Sequence, residues 1–220
     1  LEVTGIRRSS QHNDRLAKLG IRPLNLDITQ EREFEKIDAH YDQVVIAVSP
    51  GRGDNEAYQK VFGLGINHII KWLQRNTTRS VVFISSTSVY RQKNSEWVQE
   101  DIADIPENIT SKTLWEAEQK ISTTEQAVTI LRSSGIYGPG RSHLFRQFMN
   151  GNATIEGDGD HYLNMVHRDD LAEAITHSLT NKDKICGTFN ITDDEPVKQF
   201  DFFEWLSEIT KRPMPLFGPE

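Results

Sequence analysis

A serine and a lysine that follow one buried strand are the residues best suited to chemistry in this sequence. The apolar run 80–84 predicts a buried strand of a parallel sheet, and hydroxyl side chains collect directly after it at 85–88. Ligands of open α/β sheets bind at the carboxyl ends of the strands. Lys112 falls on the next predicted helix, so Ser86 and Lys112 form the skeleton of a hydride-transfer site.

Alternating strands and helices must position these two side chains. Strands are predicted at 1–6, 22–26, 43–48, 80–84 and 127–131, with helical patterns between them. Such alternation is typical of right-handed crossovers and a doubly wound parallel sheet. The fold class predicted from the sequence is therefore α/β.

Four segments in order along the chain resemble the NAD(P)-dependent epimerase/dehydratase family, the extended and atypical branch of the short-chain dehydrogenases/reductases. They are 85–90, 111–112, 131–140 and 165–170. The resemblance implies a Rossmann-type domain over residues 1–135 and a mixed part over 136–220 with a small substrate lobe and returning sheet strands. It also implies a nicotinamide cofactor and a sugar-like small-molecule substrate, with a nucleotide sugar as one form.

The sequence departs from this family at the general acid/base. The family uses a Ser-Tyr-Lys set spaced Y-x-x-x-K, and the position four before Lys112 is Asn108. A phenol titrates near pH 10, so it needs a nearby ammonium to act at neutral pH, and an amide cannot transfer a proton at all. Ser86 matches the catalytic serine. Tyr90 and Tyr137 are conceivable substitutes, although both match packing positions at the cofactor rim.

Two readings of the site therefore stay open. In the first, an NAD(P)-dependent epimerase, dehydratase or reductase works with an atypical site in which Ser86 and Lys112 are the catalytic residues. In the second, the protein is a non-catalytic NAD(P)-binding regulatory or scaffold protein, and Ser86 is simply a turn serine.

The family resemblance assigns the adenosine end of the cofactor to residues near the first two predicted strands. Arg7 and Arg8 follow strand 1–6 with no acid beside them. An acidic residue here binds ribose hydroxyls, whereas arginine accommodates a 2′-phosphate, so the pair favours NADP over NAD. A solvated basic pair is the alternative. Asp27 and Ile28 match the pair beside the adenine ring, and Asp27 is also a candidate cap for a helix over 30–37.

Further cofactor contacts are expected at the next strand ends. Val48 and Ser49 begin a glycine-rich loop that would cover the ribose and pyrophosphate, with Arg52 available to an anion. Ser133 lies in the segment 132–140, which faces the nicotinamide in the family.

The glycines at 63 and 65 lie inside a predicted helix over 56–74, so they are interpreted as close-packing points and not as a phosphate loop. His68 on the same helix is expected to be a packed residue and not a ligand.

The sequence contains no G-x-G-x-x-G between a strand and a helix, where a dinucleotide-binding fold needs it. If the resemblance holds, Leu1 begins the family's second strand. The family's first strand and glycine-rich loop are then expected to be missing from this sequence, and that first strand is central in the sheet.

Composition limits the partners. The 220 residues carry a formal net charge of −7, which does not suit nucleic-acid binding. A single cysteine favours a reducing cytoplasm, and no apolar run approaches the roughly 18 residues of a membrane span. No signal peptide is recognised and no metal site is predicted, because the Gly157–Asp160 turn lacks the remaining calcium ligands. A homodimer is compatible with the resemblance.

Overall fold

The computed structural model describes residues 2–51, 53–93, 95–102, 104–181 and 185–218. The strands are β1 (Val3–Arg7), β2 (Ile21–Asn25), β3 (Gln43–Ile46), β4 (Ser80–Ser86), β5 (Ala127–Ser133), β6 (Gly135–Tyr137), β7 (Thr154–Ile155), β8 (Tyr162–Leu163), β9 (Met165–His167), β10 (Gly187–Ile191), β11 (Val197–Lys198) and β12 (Leu216–Phe217). The α-helices are α1 (Asn13–Lys18), α2 (Asn55–Tyr58), α3 (Ile66–Leu73), α4 (Ile109–Ser122), α5 (His143–Met149), α6 (Arg168–Thr180) and α7 (Gln199–Thr210). Short 3₁₀ turns cover Ser10–His12, Glu31–Lys36 and Thr87–Val89, and a π-helical segment, Gln59–Gly65, joins α2 to α3.

The main sheet has the order β10-β5-β4-β3 with all strands parallel, which confirms the predicted α/β class. Its core forms because the apolar run of β4 faces the helices: Val81 and Phe83 are fully buried and pack with Leu73 of α3 and Ile121 of α4. In this register Ser86 pairs with Ser133, so two predicted site residues lie side by side at the carboxyl edge.

A second parallel sheet contains only β1 and β2. Within the described residues, β1 has no partner other than β2 and β3 has none other than β4. The parallel strands are thus divided into two sheets, and residues of β1 and β3 line a common cleft.

The C-terminal part combines short strand pairs with one strand of the main sheet. β6 pairs with β9, β7 with β12 and β8 with β11, whereas β10 returns to the main sheet beside β5. A second core forms around Phe148, Ile155, Phe203 and Leu206. Among the described residues, no helix combines the length and apolar character that crossing a membrane requires.

Candidate functional site

Ser86 and Lys112 lie on neighbouring elements at the carboxyl edge of the main sheet. Ser86 ends β4 and is half-buried, and its Oγ accepts a hydrogen bond from the Ser88 amide at 3.1 Å, which caps the 3₁₀ turn after the strand. Lys112 is the fourth residue of α4 and is exposed. No hydrogen bond or ion pair engages its ammonium group within the described part of the chain. The ammonium is therefore available to a ligand.

Asn108 has a structural role that the sequence did not reveal. It precedes α4 with extended backbone (φ −70°, ψ 133°), and its Oδ1 accepts hydrogen bonds from the Thr110 amide at 2.9 Å and the Thr110 hydroxyl at 2.6 Å. The position that carries the family's tyrosine is therefore the N-cap of α4. The helix begins at Ile109, directly after Asn108, whose side chain satisfies an otherwise unpaired amide of the first turn.

Tyr90 is not free to replace the missing tyrosine. Its hydroxyl accepts a hydrogen bond from Arg132 Nη1 at 2.9 Å and donates one to Asn190 Oδ1 at 2.7 Å, and the guanidinium carbon of Arg132 lies 4.9 Å from the ring centroid. Tyr137 is 39% exposed and packs edge-on against His167 with 5.2 Å between ring centroids. No hydrogen bond of the Tyr137 hydroxyl occurs among the described residues. Of the two tyrosines that could replace the family's acid/base, only Tyr137 has a hydroxyl without a hydrogen-bond partner among the described residues.

A buried ion pair joins α4 to β5. Glu118 of α4 is 0% exposed and Arg132 of β5 is 4% exposed, with Arg132 Nη2 2.8 Å from Glu118 Oε2. Ser85 donates its hydroxyl hydrogen bond to the same carboxylate. Burial lowers the pKa of Arg132, but the hydrogen bonds and charge of Glu118 outweigh burial and raise it above its ordinary value. We call Ser85, Tyr90, Glu118, Arg132 and Asn190 the Glu118 network.

The second region of the site is the cleft between β1 and β3, with a volume of about 880 Å³, within the usual range for small-molecule pockets. We call it the interstrand cleft. Six predicted cofactor residues line it: Arg7, Arg8, Asp27, Ile28, Val48 and Ser49. Two others do not: Lys112 lies on α4, and buried Ser133 donates its hydroxyl to the Ser134 carbonyl at 3.0 Å. Arg52 lies outside the described residues.

The walls of the interstrand cleft suit different parts of a dinucleotide. Arg7 ends β1 and Arg8 follows it, both are exposed, and neither guanidinium forms an ion pair with a described residue. Ile28 and Val48 are half-buried apolar side chains on the same cleft. Unpaired guanidiniums beside an apolar wall fit an anionic group attached to a planar ring.

Asp27 caps a turn and not the predicted helix. Its Oδ1 accepts hydrogen bonds from the Thr29 amide at 2.9 Å and the Thr29 hydroxyl at 2.8 Å. The predicted helix over 30–37 is a 3₁₀ turn whose N-cap is Gln30, without a side-chain capping bond. Asp27 instead stiffens the turn that follows β2, since its carboxylate satisfies two donors of one residue.

A further cavity of about 910 Å³, which sequence reasoning missed, lies at the start of α4. It is lined by Ser88, Tyr90, Asn108 and Ser111 and by seven residues of the intervening loop: Arg91, Gln92, Lys93, Glu96, Asp104, Pro106 and Glu107. The loop contributes both basic and acidic side chains, so the cavity carries no strong charge of one sign. Because Ser111 lines this cavity, the cavity lies near the helix turn that carries Lys112.

Comparisons with known proteins bear on the family and the fold. A family model described as NAD(P)H-binding matches residues 1–182. The chain is 25% identical over 168 residues to the N-acetyl-alpha-D-glucosaminyl-diphospho-ditrans,octacis-undecaprenol 4-epimerase of Escherichia coli O157:H7, covering 70% of this chain and 50% of that protein. It is also 37% identical over 97 residues to protein YeeZ of Escherichia coli K12, covering 44% of this chain and 34% of YeeZ. The chain thus spans half or less of the length of these relatives.

Solved structures show the same fold. A candidate NAD-dependent epimerase/dehydratase from Methylobacillus flagellatus superposes with a TM-score of 0.79 at 28% identity, covering 97% of this chain and 74% of that chain. UDP-glucuronic acid 4-epimerase from Bacillus cereus in complex with NAD gives a TM-score of 0.80 at 23% identity, covering 99% of this chain and 79% of that chain. The second likeness concerns the fold alone.

Proposed function

Because this chain belongs to the NAD(P)H-binding family and is epimerase/dehydratase-like, we propose that it binds NADP in the interstrand cleft in preference to NAD. The observation that carries the proposal is the gathering of six separately predicted residues around one cleft. In this proposal, Arg7 and Arg8 hold the 2′-phosphate, and Ile28 packs against the adenine ring. Val48 and Ser49 lie along the ribose and pyrophosphate.

Titration with NADPH and NADH tests this assignment. The variant carrying Arg7→Ala and Arg8→Ala is expected to bind NADPH about tenfold more weakly, since loss of the phosphate partners costs about 1.4 kcal/mol. NADH affinity should stay unchanged, because NADH lacks the phosphate. The matched control is Arg15→Ala together with Lys18→Ala, which removes two charges from α1 outside the cleft lining. Equal weakening of NADPH and NADH would contradict the phosphate assignment.

For the reaction, we propose an NAD(P)-dependent epimerase, dehydratase or reductase acting on a sugar-like substrate. A bound nicotinamide supplies hydride exchange with a substrate carbon. Lys112 would bind the ribose hydroxyls with its free ammonium, and Ser86 would orient a substrate oxygen at the end of β4. Two structural neighbours at low identity, MoeE5 with UDP-glucose and NAD and the Bacillus cereus epimerase with UDP-glucuronic acid and NAD, support testing nucleotide sugars first.

Asn108 limits what this site can do, because an amide cannot exchange a proton and a lost general acid/base typically costs about 10² to 10⁴ in rate. Slow turnover is therefore expected unless another group transfers the proton. Ser86→Ala should lower any turnover while leaving NADPH affinity nearly unchanged. Asn108→Tyr tests whether a phenol raises the rate, with thermal unfolding measured in parallel because this change also removes the helix cap.

The second candidate is a non-catalytic NAD(P)-binding regulatory or scaffold protein. It is favoured by the capping role of Asn108 and by the engaged hydroxyl of Tyr90. A screen of nucleotide sugars with both cofactors separates the two candidates. Cofactor binding without turnover on any sugar would favour the binding protein, whereas turnover that is unaffected by Ser86→Ala and Lys112→Ala would place the active site elsewhere.

A further inference from the structure

The helix that packs against the interstrand cleft contains an unusual segment. Between α2 and α3 the chain forms the seven-residue π-helical segment Gln59–Gly65, and Lys60 and Val61 of this segment line the cleft. π-Helical turns are rare and frequently occur at functional sites. The segment ends at Gly65, where the helix comes closest to Ile28.

Gly65 lets the helix backbone contact the side chain of Ile28. A Cβ added at Gly65 would lie 2.8 Å from Ile28 Cδ1 and 2.9 Å from Ile28 Cγ1. Cβ atoms essentially never approach a non-bonded atom closer than 3.0 Å, so a methyl group there must displace Ile28 or the helix. Gly63, in the same segment, would place a Cβ with no atom within 4 Å. Of the two glycines predicted to be close-packing points, only Gly65 is one.

His68 contacts the backbone carbonyl group of Ile28. Its ring is buried, and Nδ1 lies 2.9 Å from the Ile28 carbonyl oxygen, so Nδ1 must carry the proton and donate it. The ring also packs edge-on against Phe34 with 6.3 Å between centroids, and Nε2 lies 3.8 Å from Glu31 Oε2. Ile28 is thus fixed through its side chain by Gly65 and through its carbonyl by His68.

We infer that Gly65 and His68 are positioning residues for the adenine end of the cofactor, acting through Ile28. The inference rests on the proposed cofactor assignment, in which Ile28 forms the apolar wall beside the ring. Neither residue needs to touch the ligand. They hold the Ile28 side chain in its binding position before the ligand binds. Less side-chain entropy is then lost on binding.

The test compares Gly65→Ala with Gly63→Ala, two identical chemical changes in one segment. Both gain the same helix propensity, so their difference isolates the contact with Ile28. The ligands are adenosine 2′,5′-bisphosphate, which carries only the adenine end, and NADPH. Gly65→Ala is expected to weaken both ligands by the same factor of about tenfold, and Gly63→Ala should change neither.

A rescue variant separates positioning from general loosening. Ile28→Val removes Cδ1, the atom nearest to the added methyl, so Gly65→Ala with Ile28→Val should recover part of the affinity for adenosine 2′,5′-bisphosphate. His68→Phe keeps a ring but loses the donor to the Ile28 carbonyl, and is also expected to weaken the fragment about tenfold. A merely structural role would lower the melting temperature without changing the fragment affinity of the folded protein.

Failure of this inference is distinct from failure of the proposed function. If the wild-type protein binds neither adenosine 2′,5′-bisphosphate nor NADPH, the cofactor assignment is wrong. If it binds both, and Gly65→Ala binds the fragment as tightly as Gly63→Ala does, the positioning role of Gly65 is overturned while the cofactor assignment stands.

Discussion

The interstrand cleft and the Glu118 network are two regions of the candidate site that differ in burial and in how many of their charged groups have partners. In the cleft, Ile6 and Val45 on the facing strands are 41% and 40% exposed, and Arg7 and Arg8 have no ionic partner among the described residues. In the network, Glu118 and Arg132 are buried and every charged group has a partner. The cleft is therefore suited to gain contacts from a ligand, whereas the network is complete without one.

This difference predicts which substitutions lower folding stability and which lower ligand affinity. Substitutions in the Glu118 network should act on folding, because its hydrogen bonds are already made. Substitutions around the cleft and at Lys112 should change ligand affinity, because the charged groups there have no ionic partner among the described residues.

The largest expected effect is from Arg132→Met. Removing the guanidinium leaves the Glu118 carboxylate buried without its partner, and breaking such a pair costs about 3–5 kcal/mol. Urea unfolding measures the loss. The control is Asp38→Asn, which breaks an exposed pair with Arg22 and should cost less than about 1 kcal/mol. Equal losses for the two variants would mean that the network does not differ from surface pairs.

Lys112→Ala should leave stability nearly unchanged, since its exposed ammonium has no partner to lose among the described residues. The same change should weaken NADPH binding about tenfold, or by about 1.4 kcal/mol. Isothermal titration calorimetry measures the NADPH affinity of the wild-type protein and of each lysine variant. Lys120→Ala, an exposed lysine at the other end of α4, is the matched control and should bind NADPH normally. If both lysine variants bound NADPH equally well, Lys112 would not contact the cofactor.

Much of the fold follows from the sequence, because strand periodicity and strand-end polar residues are local signals. Arg7, Asp27 and Val48 lie around one cleft because each stands at or just after the carboxyl end of a parallel strand, where ligands of α/β sheets bind. The pairing of Ser86 with Ser133 is likewise a consequence of two neighbouring parallel strands.

Other features were not predictable, because they depend on contacts between distant residues. The hydrogen bond from Tyr90 to Asn190 joins residues 100 positions apart. The π-helical segment has no sequence signature, and the sequence places no more weight on Gly65 than on Gly63. Asn108 was interpreted only as a lost tyrosine. Its cap was missed, although asparagine followed by Ile-Thr is compatible with a helix start.

Asn108→Ala tests that cap and should cost about 1 kcal/mol, seen as a lower melting temperature. NADPH affinity should hardly change. Asn67→Ala is the control, because Asn67 is exposed inside α3, where alanine is the better helix former. A cap variant as stable as wild type would show that the Thr110 hydrogen bonds contribute nothing.

The smallest expected effect concerns Glu31 behind the cleft. A hydrogen bond from Lys71 holds the pKa of Glu31 below its ordinary value of 4.5. This stability contribution is therefore present above that ordinary value and is lost as the pH falls through the lower folded-state pKa. Glu31→Gln should make unfolding slightly less dependent on pH in that acid range. The matched control is Glu35→Gln on the same 3₁₀ turn, and an effect as large as that of Glu31→Gln would contradict the assignment.

Calorimetric titration of NADPH and NADH into the wild-type protein and the variant with Arg7→Ala and Arg8→Ala tests the cofactor assignment most directly. We expect one binding site in the wild type, tighter for NADPH than for NADH, and loss of that preference in the variant. Absence of binding by either cofactor, or an NADPH preference that survives the loss of both arginines, would contradict the claim that the interstrand cleft holds the phosphorylated adenosine end of the cofactor.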